Sequence, residues 1–413
     1  MLIDFEKLRP MKIVFLTTHF PSPPNYGAAK RVYHLCSILG EIGKVTLIVL
    51  KSFDYVEQDR LIQTRKDFSS VKLFIADSAP PMSLRGKFER LIDLKKVGNR
   101  HFSLSDKSRE ELVALINGCD VVWCHTLMAA DMGGIFNYGR SVIDLDDLIS
   151  DKLSLQAQEK KGVVKWQKCW QSLLWRRWEK DSLRRFCAIA VCSEQDKTKM
   201  ENRIQDKTKI KHRLNVFVLP NGFESPKRPF LFKKHSQKVI GFVGILRYTP
   251  NAEGVEWFIK EVFPILLKSE PTVRLRVAGR LPVEGLGIDH PQIDLLDFVE
   301  DLDSEMQNWD AMIVPLKVGG GTRLKILEAF SKQVPVISTH LGAYGIKAEH
   351  GRHFMLADDP VTFSDFCLQI LRDRNLAEEL TCNAYQLFQT NYTWSNVRNE
   401  VDKIIEFVES CAK

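Results

Sequence analysis

Short apolar runs rich in Val and Ile alternate along this chain with longer stretches of helical period. Runs at 12–17, 45–50, 71–75, 120–124, 141–143, 188–192 and 216–219 read as strands, as do 239–243, 273–278, 293–296, 311–314, 335–338 and 353–356. Most are continuously apolar rather than alternating, the pattern of parallel strands covered on both faces by crossover helices. The predicted fold class is α/β: two Rossmann-like, doubly wound parallel sheets. The periodicity breaks at Pro220-Asn221-Gly222 and through the polar stretch 224–237. Residues 1–222 are therefore expected as one domain, 223–392 as a second, and 393–413 as a terminal helix packing back on the first. Two such sheets on one linker would face each other across a cleft. Ligands of doubly wound sheets gather beyond the carboxyl ends of the strands, so the loops after Thr17, Cys124, Val243 and Val314 are where chemistry is expected.

Length agrees with two cores: 413 residues are too many for one and suit two domains. A balance of 59 Lys and Arg against 52 Asp and Glu fits phosphate handling or an anionic membrane and is too small for nucleic-acid binding. Nine single cysteines without a Cys-x-x-Cys pair read as buried thiols of a reducing compartment, not as a zinc site. The start of the chain lacks the form of a signal peptide, and no apolar run approaches the ~18 residues of a membrane span. A cytoplasmic protein, soluble or peripheral on the inner membrane, is expected.

The sharpest chemistry follows the strand at 311–314, in Lys317-Val-Gly-Gly-Gly-Thr-Arg-Leu-Lys-Ile-Leu-Glu328. Gly319, Gly320 and Gly321 can bring bare amides to an anion, and a helix starting near Thr322 points its positive end at the same place. Lys325 and Glu328, three apart, share a helix face, which would set a phosphate-binding cation beside a carboxylate for sugar hydroxyls.

This turn, followed by Pro335-Val-Ile-Ser and Gly342-Ala-Tyr-Gly345, resembles the donor site of GT-B retaining glycosyltransferases of family four, nearest to bacterial exopolysaccharide sugar transferases. Val239-Ile-Gly-Phe-Val-Gly244, Pro250-Asn251, Val218-Leu-Pro-Asn-Gly222 and Phe20-Pro-Ser-Pro-Pro24 with Arg31 extend the resemblance over residues 11 to 400. It implies a nucleoside-diphosphate sugar as donor, a glycan or lipid-linked acceptor, and no metal or other cofactor. Gly27, Ala28, Gly244, Gly319, Gly320, Gly321, Thr322 and Arg323 would surround the diphosphate, Phe298 and Val299 would contact the base through backbone, and Glu328 would take the ribose. His125 matches a histidine that faces the reacting sugar in relatives.

The chain also departs from that family. The first of a glutamate pair eight residues apart falls on Gly320, and the positions of an Arg and a Lys that neutralise the leaving diphosphate fall on Ile245 and Pro250. Arg247, Arg323 and Lys325 can supply that charge, Arg247 and Lys325 foremost. An inactive relative, a nucleotide-sugar epimerase of the same fold and a non-catalytic nucleotide or glycan binder are the competing readings. A nicotinamide oxidoreductase is disfavoured, because no G-x-G-x-x-G follows the first strand.

Two further segments invite chemistry. Asp144-Leu-Asp146-Asp147 has the spacing of a divalent-metal chelate, but capping of the next helix by Asp146 or Asp147 is the simpler expectation. In the basic segment 160–185, Trp166, Trp170, Leu174 and Trp178 recur every four residues. That stripe reads first as a core helix with a solvated basic face, and second as a helix lying on an anionic membrane.

Overall fold

The computed structural model describes residues 9–52, 57–78, 102–159, 161–204, 215–226, 237–281, 287–318 and 323–411. It divides into two compact units, residues 1–219 with 398–413, and residues 220–397.

The first unit is built on strands β1 (Met11–Thr17), β2 (Gly43–Ser52), β3 (Val71–Ser78), β4 (Phe102–Ser103), β5 (Val121–His125), β6 (Ser141–Leu145), β7 (Ala188–Val191) and β8 (Asn215–Val218), in the order β4-β3-β2-β1-β5-β6-β7-β8. All pairs are parallel except β3 with β4 at the edge. The central strands are apolar on both faces because helices cover both; β5 and β6 are buried at every residue. Phe15 of β1 stacks on the fully buried Trp123 of β5 at 6.5 Å.

The second unit has β9 (Val239–Val243), β10 (Arg274–Ala278), β11 (Ile293–Leu296), β12 (Ala311–Val314), β13 (Val336–Ser338) and β14 (Met355–Leu356), all parallel, in the order β11-β10-β9-β12-β13-β14. Gly241 of β9 is glycine for a packing reason: a β-carbon there would lie 2.0 Å from the ring of the buried Trp309.

Both sheets reverse winding direction once, between β1 and β5 in the first and between β9 and β12 in the second. Ligands of open α/β sheets bind outside the strand ends at such a reversal. The terminal helix Trp394–Ser410 starts in the second unit and ends in the first, where Phe407 lies 5.2 Å from Phe217 and Arg398 pairs with Glu41.

Three local expectations need correction. The helix Gly162–Leu183 packs into the core only along Ser172, Glu179, Ser182 and Leu183. Glu179 there accepts from the amide and hydroxyl of Ser150, tying on the helix Ile149–Glu159. Its first half leaves Val163, Trp166, Trp170 and Leu173 exposed by 83, 78, 49 and 56%, while Leu174 and Trp178 turn partly inward, so the outward stripe runs 163-166-170-173. Of the two capping candidates, Asp146 turns both its oxygens to the buried groups described below. The cysteines are all free thiols, but Cys382 and Cys411 are exposed.

Candidate functional site

In the second unit the reversal point is organised by two glycines. Gly244, directly after β9, donates its amide to Ala278 O (2.9 Å) and has φ 157°. Gly279, directly after β10, has φ 145°, and a β-carbon on it would fall 1.9 Å from Gly244 O. Only two bare backbones pass this closely. Asn251, on the first turn of the helix Thr249–Trp257, is buried and donates from Nδ2 to Ile245 O (2.9 Å), fixing the loop that Gly244 opens.

Lys325 reaches this place from the far side of the reversal. Its helix, Leu324–Ser331, starts two residues later than the glycine turn suggests, with Arg323 as the capping position. Lys325 Nζ donates to Asn251 Oδ1 (2.9 Å) and sits 4.2 Å from the centre of the Phe242 ring. A β-carbon on Gly244 would lie 2.9 Å from Nζ, so the glycine makes room for the ammonium. Burial, and then the charge of Arg323, pushes the Lys325 pKa down to about 7, with Glu328 partly opposing. The ammonium has a hydrogen bond and a ring face but, among the described residues, no carboxylate within ion-pair distance, an arrangement that an incoming anion completes.

Glu328 does not turn to Lys325. One carboxylate oxygen accepts from the buried Lys332 Nζ at 2.8 Å, and Lys332 also pairs with Asp303 at 2.8 Å. Among the described residues the other carboxylate oxygen accepts no hydrogen bond. Arg247 lies in the β9 loop, its Nε donating to Leu281 O at 3.0 Å. Arg323 is buried, and Phe298, after β11, is 71% exposed with Val299 half-buried beside it. Gly319, Gly320, Gly321 and Thr322 lie outside the described residues.

In the first unit the reversal point brings Thr17 beside His125. His125 closes β5 and is fully buried; its Nδ1 is 3.5 Å from Thr17 Oγ1 and its Nε2 is 3.2 Å from Asp146 Oδ2. Thr126, the next residue, holds φ 75° and ψ 148°, a conformation nearly reserved for glycine. Its amide donates to Asp144 O (2.8 Å) and its hydroxyl caps the helix Leu127–Gly133, so β5, β6 and that helix together impose the strain. Arg31 is completely buried on the helix Gly27–Ile42, whose first turn contains Gly27 and Ala28. It donates to Asp144 (2.5 and 2.9 Å) and to Leu219 O (3.0 Å), and its Nε is 3.3 Å from Asp146 Oδ1. Asp144 is thereby neutralised by an arginine, so the spacing that suggested a chelate serves an ion pair. Burial would raise the Asp146 carboxyl, but the hydrogen bond from His125 and the charge of Arg31 hold it well below the usual carboxylate range.

Sequence reasoning passed over His19, Asn251 as a side chain, and Lys332. Lys332 was readable as the i+4 partner of Glu328, and His19 by its place two residues beyond β1. Arg31 and Asp144 are 113 positions apart, a pairing without any local signal.

Residues 237–373, which contain Gly244, Asn251, Lys325 and Glu328, match the family described as glycosyl transferases group 1. A protein of Klebsiella pneumoniae, described as an uncharacterized 44.6 kDa protein in cps region, is 28% identical over 190 residues, 42% of this chain and 48% of its own. The chain thus spans about half the length of the curated relative it matches. Among solved structures, sucrose-phosphate synthase from Thermosynechococcus elongatus superposes with a TM-score of 0.66 at 14% identity, over 96% of this chain and 98% of its own. Anabaena HepE in complex with UDP and glucose gives 0.62 at 13%, over 96% and 99%. The pneumococcal O-GlcNAc transferase GtfA, in complex with UDP and GlcNAc, gives 0.61 at 10%, over 97% and 99%. At these identities the likeness shows the fold, which is GT-B.

Proposed function

We propose that this chain is a glycosyltransferase that moves a sugar from a nucleoside-diphosphate sugar to a hydroxyl of a glycan or lipid-linked glycan, with retention at the anomeric carbon, in polysaccharide assembly. The observation that carries the reading is the half-buried Lys325, held by Asn251 beneath Gly244 at the winding reversal of a sheet that matches the group 1 family model. Departure of a nucleoside diphosphate limits such a reaction, so stabilising its negative charge is the main catalytic task. Lys325, Arg247 and Arg323 serve that task, with backbone amides of Gly319, Gly320, Gly321 and Thr322 as the sequence suggests. The open oxygen of Glu328 takes a ribose hydroxyl, and the backbone at Phe298 and Val299 meets the base. Because cations and amides cover the diphosphate, the reaction needs no metal, and chelation with EDTA leaves turnover unchanged.

The complexes of HepE with UDP and glucose and of GtfA with UDP and GlcNAc make UDP-sugars the first donors to try. The relative in a cps region fits a place in polysaccharide assembly. The deciding measurement is release of nucleoside diphosphate from a panel of UDP-, GDP-, ADP- and dTDP-sugars; no release from any of them, with or without glycan acceptors, refutes the reading.

The same reading includes a lipid-linked acceptor and peripheral attachment. No acidic residue interrupts 161–178, and Lys161, Lys165, Lys168, Arg176 and Arg177 accompany the outward Val163, Trp166, Trp170 and Leu173. Amphipathic tryptophans with cations suit an anionic lipid surface, whereas pairing with a second copy would bring like charges together. Flotation with phosphatidylglycerol vesicles is expected, with loss in W166S/W170S and none with phosphatidylcholine alone.

A further inference from the structure

His125 is the histidine that the sequence singles out, yet it has no surface and both its ring nitrogens are engaged inside the first domain. What lies in front of it is different. His19, in the loop after β1, is half-buried, its ring edge-on to that of His125 at 5.7 Å. Its Nδ1 is 3.3 Å from the Tyr26 hydroxyl, and its backbone amide donates to Thr17 Oγ1 at 3.0 Å, so ring and main chain are both fixed. Among the described residues its Nε2 has no partner. Asp146 keeps a quarter of its side chain exposed while His125 and Arg31 grip it from behind.

The loop that carries His19 is also held. Arg60 donates to Phe20 O (2.8 Å), Pro23 O (3.0 Å) and Asn25 Oδ1 (3.0 Å), and its guanidinium lies over the Tyr26 ring. A site whose side chains are locked by a second layer of contacts is what sugar recognition requires, since hydroxyl hydrogen bonds discriminate only in fixed geometry.

We infer that the first domain touches the sugar substrate through His19 Nε2 and the partly exposed carboxylate of Asp146, and that His125 is a positioning residue behind them. The inference rests on the glycosyltransferase reading. A neutral imidazole beside a carboxylate offers a hydroxyl both partners it can use, one for its oxygen and one for its proton. His19 is neutral at physiological pH: burial first, then the charges of His125 and Lys51, push its pKa down to about 4, with Asp146 opposing and Arg60 adding to the fall. Thr17 and Asp146 fix the His125 ring, and Arg31 fixes Asp146.

The test separates this inference from the reading it rests on. Wild-type release of nucleoside diphosphate is measured first; its absence across the donor panel sinks the reading itself. With an active wild type, diethyl pyrocarbonate at pH 7 acylates accessible neutral imidazoles, and peptide mass mapping is expected to find His19 modified and His125 spared, with activity falling as His19 reacts and returning with hydroxylamine. H19Q should lower turnover about a hundredfold, as losing one hydrogen-bonding group to the transition state does. His125 is tested as a positioning residue by NMR titration of His19: H125Q removes a neighbouring positive charge and raises the His19 pKa, whereas D146N lowers it. Modification of His125 with His19 spared, or an H19Q enzyme within threefold of wild type, overturns the inference. The acylation map uses the unaltered protein, so it decides the matter even where a variant fails to fold.

Discussion

The Lys325 ammonium makes a proton-linked prediction. In the free protein its pKa is lowered to about 7, by burial first and by Arg323 second. A diphosphate brought against it adds at least two negative charges and returns the pKa to its ordinary range or above. At pH 8 only about a tenth of the free protein carries that proton, so binding should take up about 0.9 proton, and about 0.5 at pH 7. The bound state holds more protons, so affinity strengthens as pH falls and flattens below the free pKa. Between pH 7 and 9 the dissociation constant should rise by roughly fiftyfold, almost all of it above pH 7.5, where the diphosphate is already ionised. Isothermal titration of the released nucleoside diphosphate at pH 8, in two buffers of different ionisation enthalpy, reads the uptake directly. K325M should abolish both the buffer dependence and the slope. A buffer-independent enthalpy in the wild type, or the same slope in K325M, would refute the assignment of this lysine to the diphosphate. Stability runs the opposite way: the unfolded chain binds the proton between about pH 7 and 10.5 and the folded one does not. Relative to K325M, the free wild-type protein should therefore gain stability as pH rises through that window.

Three other perturbations have outcomes that packing dictates. R31M strands the buried Asp144 without its arginine and should cost about 3–5 kcal/mol in urea denaturation, the usual cost of breaking a buried pair. G279A drives a β-carbon into Gly244 O at a φ that L-residues avoid; it should cost about 3 kcal/mol or more and depress donor affinity with it. E328Q leaves the buried Lys332 with Asp303 alone, so it should lower the thermal midpoint and raise the donor KM about tenfold or more, while a KM near wild type would remove Glu328 from the ribose.

Much of the fold is legible because its signals are local. Val- and Ile-rich runs such as β1 and β5 can only be strands covered on both faces, and a chain of such runs separated by helical stretches becomes a doubly wound sheet. Strand order then places the loops after β1, β5, β9 and β12 at the two reversals. The spacing of Lys325 and Glu328 was equally readable, but its meaning was not. Helical periodicity puts them on one face, and the long side chains then part: Lys325 toward Asn251, 74 positions away, and Glu328 toward Lys332. The tryptophan stripe shows the same limit, since period four fixes which residues align and not whether anything covers them.

The sequence by itself determined the class of fold and placed Lys325 on a helix, because backbone propensity and hydrophobic period act between neighbours along the chain. Tertiary structure decided which groups can meet a substrate. It sealed His125 behind Asp146 and Thr17, left His19 in front of them, and gave Asp144 to Arg31. A buried charge or ring nitrogen must find its partner wherever the packed chain supplies one, and that partner's distance along the sequence carries no information about its distance in space.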